Sequence, residues 1–245
     1  MKKESKFGLD VLDSKKKAKE VHDIFASVAN NYDLMNDLMS LGLHRLWKER
    51  FYQMAKVKSN DIVIDIASGT GDIAINIAKK IKNIDITCLD ANKNMLEICK
   101  NRTIDLGFIK NFSFIQSQIE NFKKKNKFSL ATLAFGLRNF TDLELGLSNI
   151  FSSLKVGGRL MIMDFKSPDN KFNKKLYELY TDNVLPKLGE IISGDQKSYQ
   201  YLSDSIKTYI TPEELSVLMS EVGYSKIRSE ILPGDIVSIH IGYKT

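Results

Sequence analysis

At 245 residues, with 43% hydrophobic side chains, the chain is long enough for one α/β domain with a modest elaboration and a sizeable core. Its net charge of +6, from 36 basic and 30 acidic residues, is mild, and the lysines fall in short runs such as 15–17 and 123–125. No nucleic-acid motif accompanies that charge, so it argues against a nucleic-acid partner and reads as solvated faces, with an anionic membrane surface as the functional alternative.

The opening residues, MKKESKFGLD, lack the apolar core of a signal peptide, and residues 1–20 read as a polar, loosely held arm. From residue 21 to about 56 the apolar spacing is helical: Val21, Ile24, Phe25, Val28, then Leu34, Met35, Leu38 and Met39. A break at Asn30 and Asn31 predicts two helices rather than one. Ile62–Ile66 (IVIDI) has the β-branched run of a buried parallel strand, and a glycine-rich turn and a helix over Asp72–Lys80 follow. Residues 84–89 predict a second strand and 92–101 a second helix. Cys88 and Cys99, eleven apart, have neither metal-site spacing nor a disulfide framework; they read as buried thiols in a reducing cytosol. Residues 112–115 and 130–135 are further strand candidates, and 142–154 an amphipathic helix stopped by Gly157 and Gly158. After the strand at 160–165, residues 166–210 fit no sheet position and predict a helical insertion or lid. Pro212–Val222 reads as a helix, followed by two antiparallel strands, 227–232 and Val237–Tyr243, around Pro233, Gly234 and Asp235. The alternation of strand and helix implies right-handed crossovers and a doubly wound, mostly parallel sheet. No window approaches about 18 consecutive apolar residues, so the expected location is cytoplasmic, at most peripheral on a membrane.

An open parallel sheet takes its ligand beyond the carboxyl ends of its strands. After the first predicted strand the chain reads Asp65, Ile66, Ala67, Ser68, Gly69, Thr70, Gly71, Asp72. Gly69 and Gly71 permit a close ligand approach that a Cβ would block. Asp90, nineteen residues after Gly71, stands where a carboxylate can take both hydroxyls of an adenosine ribose. Residues 69–74 also satisfy the dinucleotide fingerprint. A pyrophosphate, however, would sit on a helix N-terminus that already carries Asp72. S-adenosylmethionine has no phosphate and presents a sulfonium and an ammonium. Asp65, Asp72 and Asp90 around one loop therefore favour the methyl donor, with a plain helix-start charge as the bland reading of Asp72.

Longer motifs add to this: FASVANNYDLMNDLMSLGLHRLWK (25–48), AFGLRNFTD (134–142), LKVGGRLMIMDF (154–165), LPKLGEIISGDQKSYQYLSDSI (185–206) and GDIVSIHIGYK (234–244). Through them the chain resembles the ubiquinone/menaquinone biosynthesis C-methyltransferases over residues 21–244. The resemblance implies a single class I, Rossmann-like methyltransferase domain: a seven-stranded sheet with an antiparallel C-terminal strand, preceded by N-terminal helices. It implies methyl transfer from S-adenosylmethionine to a ring carbon of a prenylated quinol, either 2-polyprenyl-6-methoxy-1,4-benzoquinol or demethylmenaquinol. Carried over, Thr70 and Asp90 fall on donor-binding positions, the next donor contact on Gln118 and Ile119, and a further one near Ala134. Two departures stand out: Ser68 replaces the first glycine of the family's GGTGD loop, and Ala134 offers no hydroxyl where a serine is common.

Methylating a ring carbon requires an electron-rich ring, which ionising a quinol hydroxyl supplies. Arg138 and Asn139, just past the fourth predicted strand, would stabilise that oxyanion and orient it; a surface ion pair of Arg138 with Asp142 is the bland alternative. Tyr32 looks like the family's N-terminal aromatic that closes over donor or substrate. No residue stands out as the general base. His22, His44 and His240 lack metal-ligand spacing, and His44 reads as a packing or interhelix hydrogen-bonding residue. Trp47, Met35, Met39 and Met54 read as core, although the same N-terminal helices are the best place for a prenyl groove. A hydride-transferring Rossmann enzyme and a non-catalytic scaffold remain the alternatives, and a homodimer or a quinone-biosynthesis complex stays open.

Overall fold

The computed structural model describes residues 4–7, 10–28, 37, 40, 42–108, 110–184, 187, 190, 196–207 and 209–245. A short hairpin, β1 (Glu4–Phe7) and β2 (Asp10–Asp13), runs into helix α1 (Ser14–Val28). The expected loose arm at 1–20 is therefore corrected: its second half is ordered, and Lys17, expected on a solvated face, is buried. The predicted second helix around residues 34–39 lies almost wholly outside the described residues. Helix α2 (His44–Ala55) follows it, burying Trp47, Phe51 and Ala55.

The sheet then builds outwards in two directions. Strand β3 (Ile62–Ile66) leads through α3 (Asp72–Lys80) to β4 (Asp85–Asp90), and through α4 (Lys93–Asp105) to β5 (Phe112–Gln116). The chain next returns to the other side of β3 with β6 (Phe128–Ala134), α5 (Leu143–Ser153) and β7 (Leu154–Phe165). Helices α6 (Lys171–Leu179) and α7 (Gln196–Lys207) precede α8 (Pro212–Val222), β8 (Ser225–Ile231) and β9 (Val237–Tyr243). Strand order is β5-β4-β3-β6-β7-β9-β8, parallel throughout except for β9, which runs against both its neighbours. The doubly wound sheet with one antiparallel C-terminal strand is as expected.

Period-two alternation sends neighbouring residues to opposite layers. Val63, Leu130 and Met161 pack with α2, α3 and α4, whereas Ile64, Ala131 and Ile162 pack with α5 and α8. Cys88 and Cys99 are free thiols inside the first layer, as their spacing suggested. The ends of α8 follow sequence chemistry closely. Thr211 and Glu214 form a reciprocal capping box, Pro212 opens the helix, and Gly223 closes it at φ +114°. One expectation is overturned. Gly157 and Gly158 do not stop a helix: α5 already ends at Ser153, and both glycines lie within β7, where the register against β6 shifts. Their backbone bonds to Lys244 instead, with Gly157 N donating to Lys244 O at 2.7 Å.

The switch between β3's two neighbours places the loop after β3 at the sheet's carboxyl edge, held tightly from behind. Gly71 has φ +84°, and a Cβ there would stand 2.3 Å from the Cys99 Sγ of α4. Gly71→Ala is thus both strained and overpacked, and should lower the unfolding free energy by about 1–3 kcal/mol. Urea denaturation checks this; an unchanged midpoint would mean that loop and α4 part without cost.

Candidate active site

Three strand ends make the floor of the site. Past β3, Ala67 (φ +49°), Gly69 (φ +54°) and Gly71 (φ +84°) turn the chain sharply back. Past β6, Phe135 also adopts a left-handed backbone (φ +59°). A non-glycine residue there is uncommon, and two on adjacent strand ends mark a place where geometry overrides local preference. The two turns nearly touch, since a Cβ on Gly136 would stand 2.5 Å from the Cβ of Ala67. Past β4, Asp90 ties the floor together: Gly69 N donates to its Oδ2 at 2.7 Å and Asn92 N to its Oδ1 at 2.8 Å. Burial pushes the Asp90 carboxyl's pKa up, while these amides and the charge of His22 pull it back.

Above this floor opens a cleft. Asp90, Gly69, Gln118, Ile119, Ala134 and Asn139 all line it, so six of the residues singled out from sequence meet on one cavity. Ala91, Met95 and Ile119 supply apolar surface, and the carboxylate of Asp90 supplies the acceptor. Sequence reasoning missed the opposite wall, formed by Ala18, Val21 and His22 of α1. A signal was present in the helical spacing from Val21, but nothing in it distinguishes a ligand-facing stripe from a core-facing one. Asn92 fastens that wall by donating its Nδ2 to His22 O at 3.1 Å.

Thr70 and Asp65 lie beside the cleft rather than on it. Arg102 Nη1 donates to both Thr70 O and Thr70 Oγ1 at 3.0 Å, and sequence reasoning had assigned Arg102 no role. Asp65 is buried inside β3. Its Oδ1 accepts from Thr132 Oγ1 at 2.7 Å, and its Oδ2 has no hydrogen-bond partner. Burial raises its pKa to about 7, with Thr132 opposing the shift. Asp72 is not the unopposed charge that the sequence suggested: Lys48 Nζ bonds its Oδ2 and Asn76 Nδ2 its Oδ1. That pairing weakens the case that Asp72 repels a diphosphate.

Arg138 also departs from expectation. It forms no surface pair with Asp142, which caps α5; its Nη1 donates to Asp164 Oδ1 at 2.7 Å and to Phe135 O at 2.8 Å, and all three residues are buried. Asp164 is held in turn by the amides of Leu137 and Phe165. The guanidinium lies 5.4 Å from the Phe165 ring centre, and its charge acts on Tyr177, Tyr201 and Tyr209, whose hydroxyls burial makes less acidic. Tyr201 Oη donates to Asn139 Oδ1 at 3.0 Å, which joins this aromatic region to the cleft. The hydroxyls of Tyr177, Tyr199 and Tyr209 are buried with no hydrogen-bond partner. Tyr32, Met35 and Met39 lie outside the described residues. Trp47 is core, donating Nε1 to Pro233 O, and His44 bonds Asp37 through Nε2 at 3.2 Å, matching the bland readings of both.

Residues 12–244 match the model of the ubiE/COQ5 methyltransferase family. The chain belongs to this family. Curated relatives include the ubiquinone/menaquinone biosynthesis C-methyltransferases UbiE of Xanthomonas oryzae pv. oryzae and Stenotrophomonas maltophilia. Each is 40% identical over 240 residues, covering 97% of this chain and 95% of the relative. Among solved structures, a SAM dependent methyltransferase from Aquifex aeolicus superposes with a TM-score of 0.59 at 13% identity, covering 81% of this chain and 89% of that one. Phosphoethanolamine N-methyltransferase 2 of Haemonchus contortus, in complex with S-adenosyl-L-methionine, gives 0.62 at 13% identity over 81% of this chain and 52% of that one. These two likenesses concern the fold. Membership of the family makes the protein an S-adenosylmethionine-dependent methyltransferase and removes the hydride-transfer alternative.

The buried Asp65 gives this ubiE/COQ5 member a specific pH signature. Its folded carboxyl keeps a proton up to about pH 7, whereas the unfolded one loses it near its ordinary value of about 4. The folded state therefore holds the extra proton between those limits, and Asp65 costs stability as pH rises through that window, by up to about 4 kcal/mol. Asp65→Asn should flatten this slope in urea unfolding measured from pH 5 to 8. Parallel wild-type and variant slopes would show that Asp65 ionises freely when folded.

Proposed function

We propose that this ubiE/COQ5 methyltransferase methylates a ring carbon of a prenylated quinol of the ubiquinone or menaquinone pathway. In this reading the donor's nucleoside occupies the α1-covered cleft and the quinol ring lies beside Arg138 and Asn139. The observation that carries it is the placement of a half-buried carboxylate, Asp90, and of Asn139, itself bonded by Tyr201, along a single cavity. Relatives at 40% identity are named for C-methylation in ubiquinone and menaquinone biosynthesis, which supports the substrate class.

The residues fit the donor. Asp90 is the acceptor for the ribose hydroxyls, its charge conserved by two backbone amides that leave further lone pairs on each oxygen. Gln118 meets the adenine edge while Ala91, Met95 and Ile119 pack its faces. Gly69 and Gly71 keep the loop clear of Cβ atoms, and Asp65 and Thr70 border the donor's amino-acid end. Bound there, S-adenosylmethionine supplies an electrophilic methyl group.

The protein's own contribution is to make the acceptor nucleophilic. Arg138, held rigid by Asp164 and the Phe135 carbonyl, lowers the pKa of a quinol hydroxyl and stabilises the phenolate in a region closed off by Phe165 and the tyrosines. Asn139, oriented by Tyr201, hydrogen-bonds the same oxygen. The family resemblance assigns Tyr32 the role of the aromatic that closes over donor or substrate. Orientation in such a pocket contributes about 7–11 kcal/mol in favourable cases. The segment at 166–210 acts as the lid over the acceptor, in one domain with the sheet.

The prenyl tail adds a membrane requirement. No helix among the described residues is long and apolar enough to cross a bilayer, so contact with one is peripheral, through the N-terminal helices and the 166–210 segment. Salt-sensitive co-sedimentation with anionic liposomes is the expected result; protein that stays in the supernatant at low salt removes the membrane contact and leaves delivery by a partner complex.

The quinolate role of Arg138 has a direct test. Deleting its charge would strand Asp164, a buried carboxylate, at a cost of about 3–5 kcal/mol. Arg138→Lys avoids that while losing the planar fork. It should bind donor normally yet slow single-turnover methylation of a short-chain quinol by about 10²-fold, and raising the pH should recover part of the rate. Wild-type turnover at neutral pH would make Arg138 structural, and a wild-type enzyme that leaves the quinol unmethylated would overturn the substrate class.

A further inference from the structure

The fold divides the lysine run at 15–17. Lys15 and Lys16 are exposed, whereas Lys17 is 3% exposed and stands next to Ala18, which walls the cleft. Lys17 Nζ donates to Phe140 O at 2.6 Å and to Arg138 O at 3.3 Å. Taking an ammonium out of water is costly, and two neutral carbonyls offset only part of that cost. The Glu120 carboxylate adds attraction from the far side, yet its Oε1 is engaged with the main chain as well. A buried cation that grips two main-chain carbonyls fixes backbone, so the residue between those carbonyls shows what the grip is for.

That residue is Asn139. Leu137–Asn139 makes one short helical turn after β6. Lys17 holds it at residues 138 and 140. Glu120 Oε1 holds the continuation, accepting from Thr141 N at 2.6 Å, Thr141 Oγ1 at 2.8 Å and Asp142 N at 3.2 Å. Glu120 is anchored in turn, because Asn149 Nδ2 of α5 donates to the carbonyls of Ile119 and Glu120 at 3.0 and 2.8 Å. Residues 138–142 are thus clamped by a cation on their carbonyls and a carboxylate on their amides. The side chains they carry are held unequally. Asp164 and the Phe135 carbonyl fix the Arg138 guanidinium independently of its own main chain. Asn139 faces the cleft with Tyr201 Oη on its Oδ1, and the direction of its Nδ2 follows the backbone that carries it.

We propose that Lys17 is a positioning residue for methyl transfer: by bridging the carbonyls on either side of Asn139, it aims the Asn139 amide at the acceptor oxygen. This rests on the acceptor reading above, in which Asn139 hydrogen-bonds the quinol oxygen. It adds a residue 121 positions before Arg138, on an element outside the loop. Lys17 acts on the acceptor through the backbone of residues 138 and 140. The geometric demand is steep, since a misplacement of about 1 Å at a reacting centre can cost about 10²-fold in rate. A methionine at 17 would leave both carbonyls without their cation. An arginine would keep charge and donors on a long stem.

A double-mutant cycle of Lys17→Met and Asn139→Ala in the full chain provides the test. It is read in single-turnover methylation of a short-chain quinol and in calorimetric titration with S-adenosylhomocysteine. Lys17→Met should lower the rate constant by about 10- to 100-fold. Its affinity for S-adenosylhomocysteine should stay within about threefold of wild type. Added to Asn139→Ala, the same change should cost less than about twofold more, because the residue it positions is already gone. Lys17→Arg should restore most of the rate. Thermal melts confirm folding, and Lys17→Gln, which keeps N–H donors without the charge, carries the cycle if Lys17→Met does not fold. Multiplicative losses in the double variant, an unchanged rate in Lys17→Met, or equal losses of rate and donor affinity would overturn the positioning role and leave the acceptor reading in place. Wild-type turnover by Asn139→Ala would overturn the part of Asn139 in that reading, and the positioning with it.

Discussion

The site depends on one half-buried carboxylate. Asp90 closes the end of β4, and its two oxygens accept the amides of Gly69 and Asn92. The first bond fixes the glycine turn after β3; the second fixes the start of α4, whose Asn92 side chain caps Met95 and grips α1. Three elements thus take their position from a group that burial alone would tend to protonate. Each amide bond to the charged form is worth about 1.5–3 kcal/mol and offsets part of that tendency. The arrangement keeps an acceptor poised at the cavity edge without reorganisation when a ligand arrives.

Arg138 and Asp164 form the second buried charge centre, built on a different principle. A pair this enclosed contributes little to stability compared with apolar side chains of similar volume, because desolvating both ions costs about what their attraction returns. It sits instead where its geometry is over-determined: the amides of Leu137 and Phe165 hold the carboxylate, and the Phe135 carbonyl holds the guanidinium. Phe165, Tyr177, Tyr201 and Tyr209 stand around the same guanidinium.

Much of this was legible in the residues. The β-branched run of β3, the period of α3 and the cap and stop residues of α8 are local signals, and the structure follows them. Asp90, Gln118, Ile119, Ala134 and Asn139 sit at fixed offsets from strand ends, so a correct strand assignment carried them to one cavity. What stayed hidden depended on contacts distant in sequence. Asp164 lies 26 residues from Arg138, whereas Asp142, the nearer acid that the sequence offered, is occupied at a helix cap. Lys48 neutralises Asp72 from another element altogether. Lys17 looked like one of a solvated trio, and only the fold shows that it is buried. Glycine pairs also mislead: Gly157 and Gly158 signal a break, and the break turns out to be a register shift inside β7 rather than a helix end.

Lys17 Nζ donates to Phe140 O at 2.6 Å and to Arg138 O at 3.3 Å, and burial brings its pKa down to about 8 against the pull of Glu120. On the same helix, Ala18, Val21 and His22 wall the cleft. One helix thus holds the backbone of residues 138 and 140 at one position and walls the cleft at the next, so the cleft and the loop after β6 share a single support.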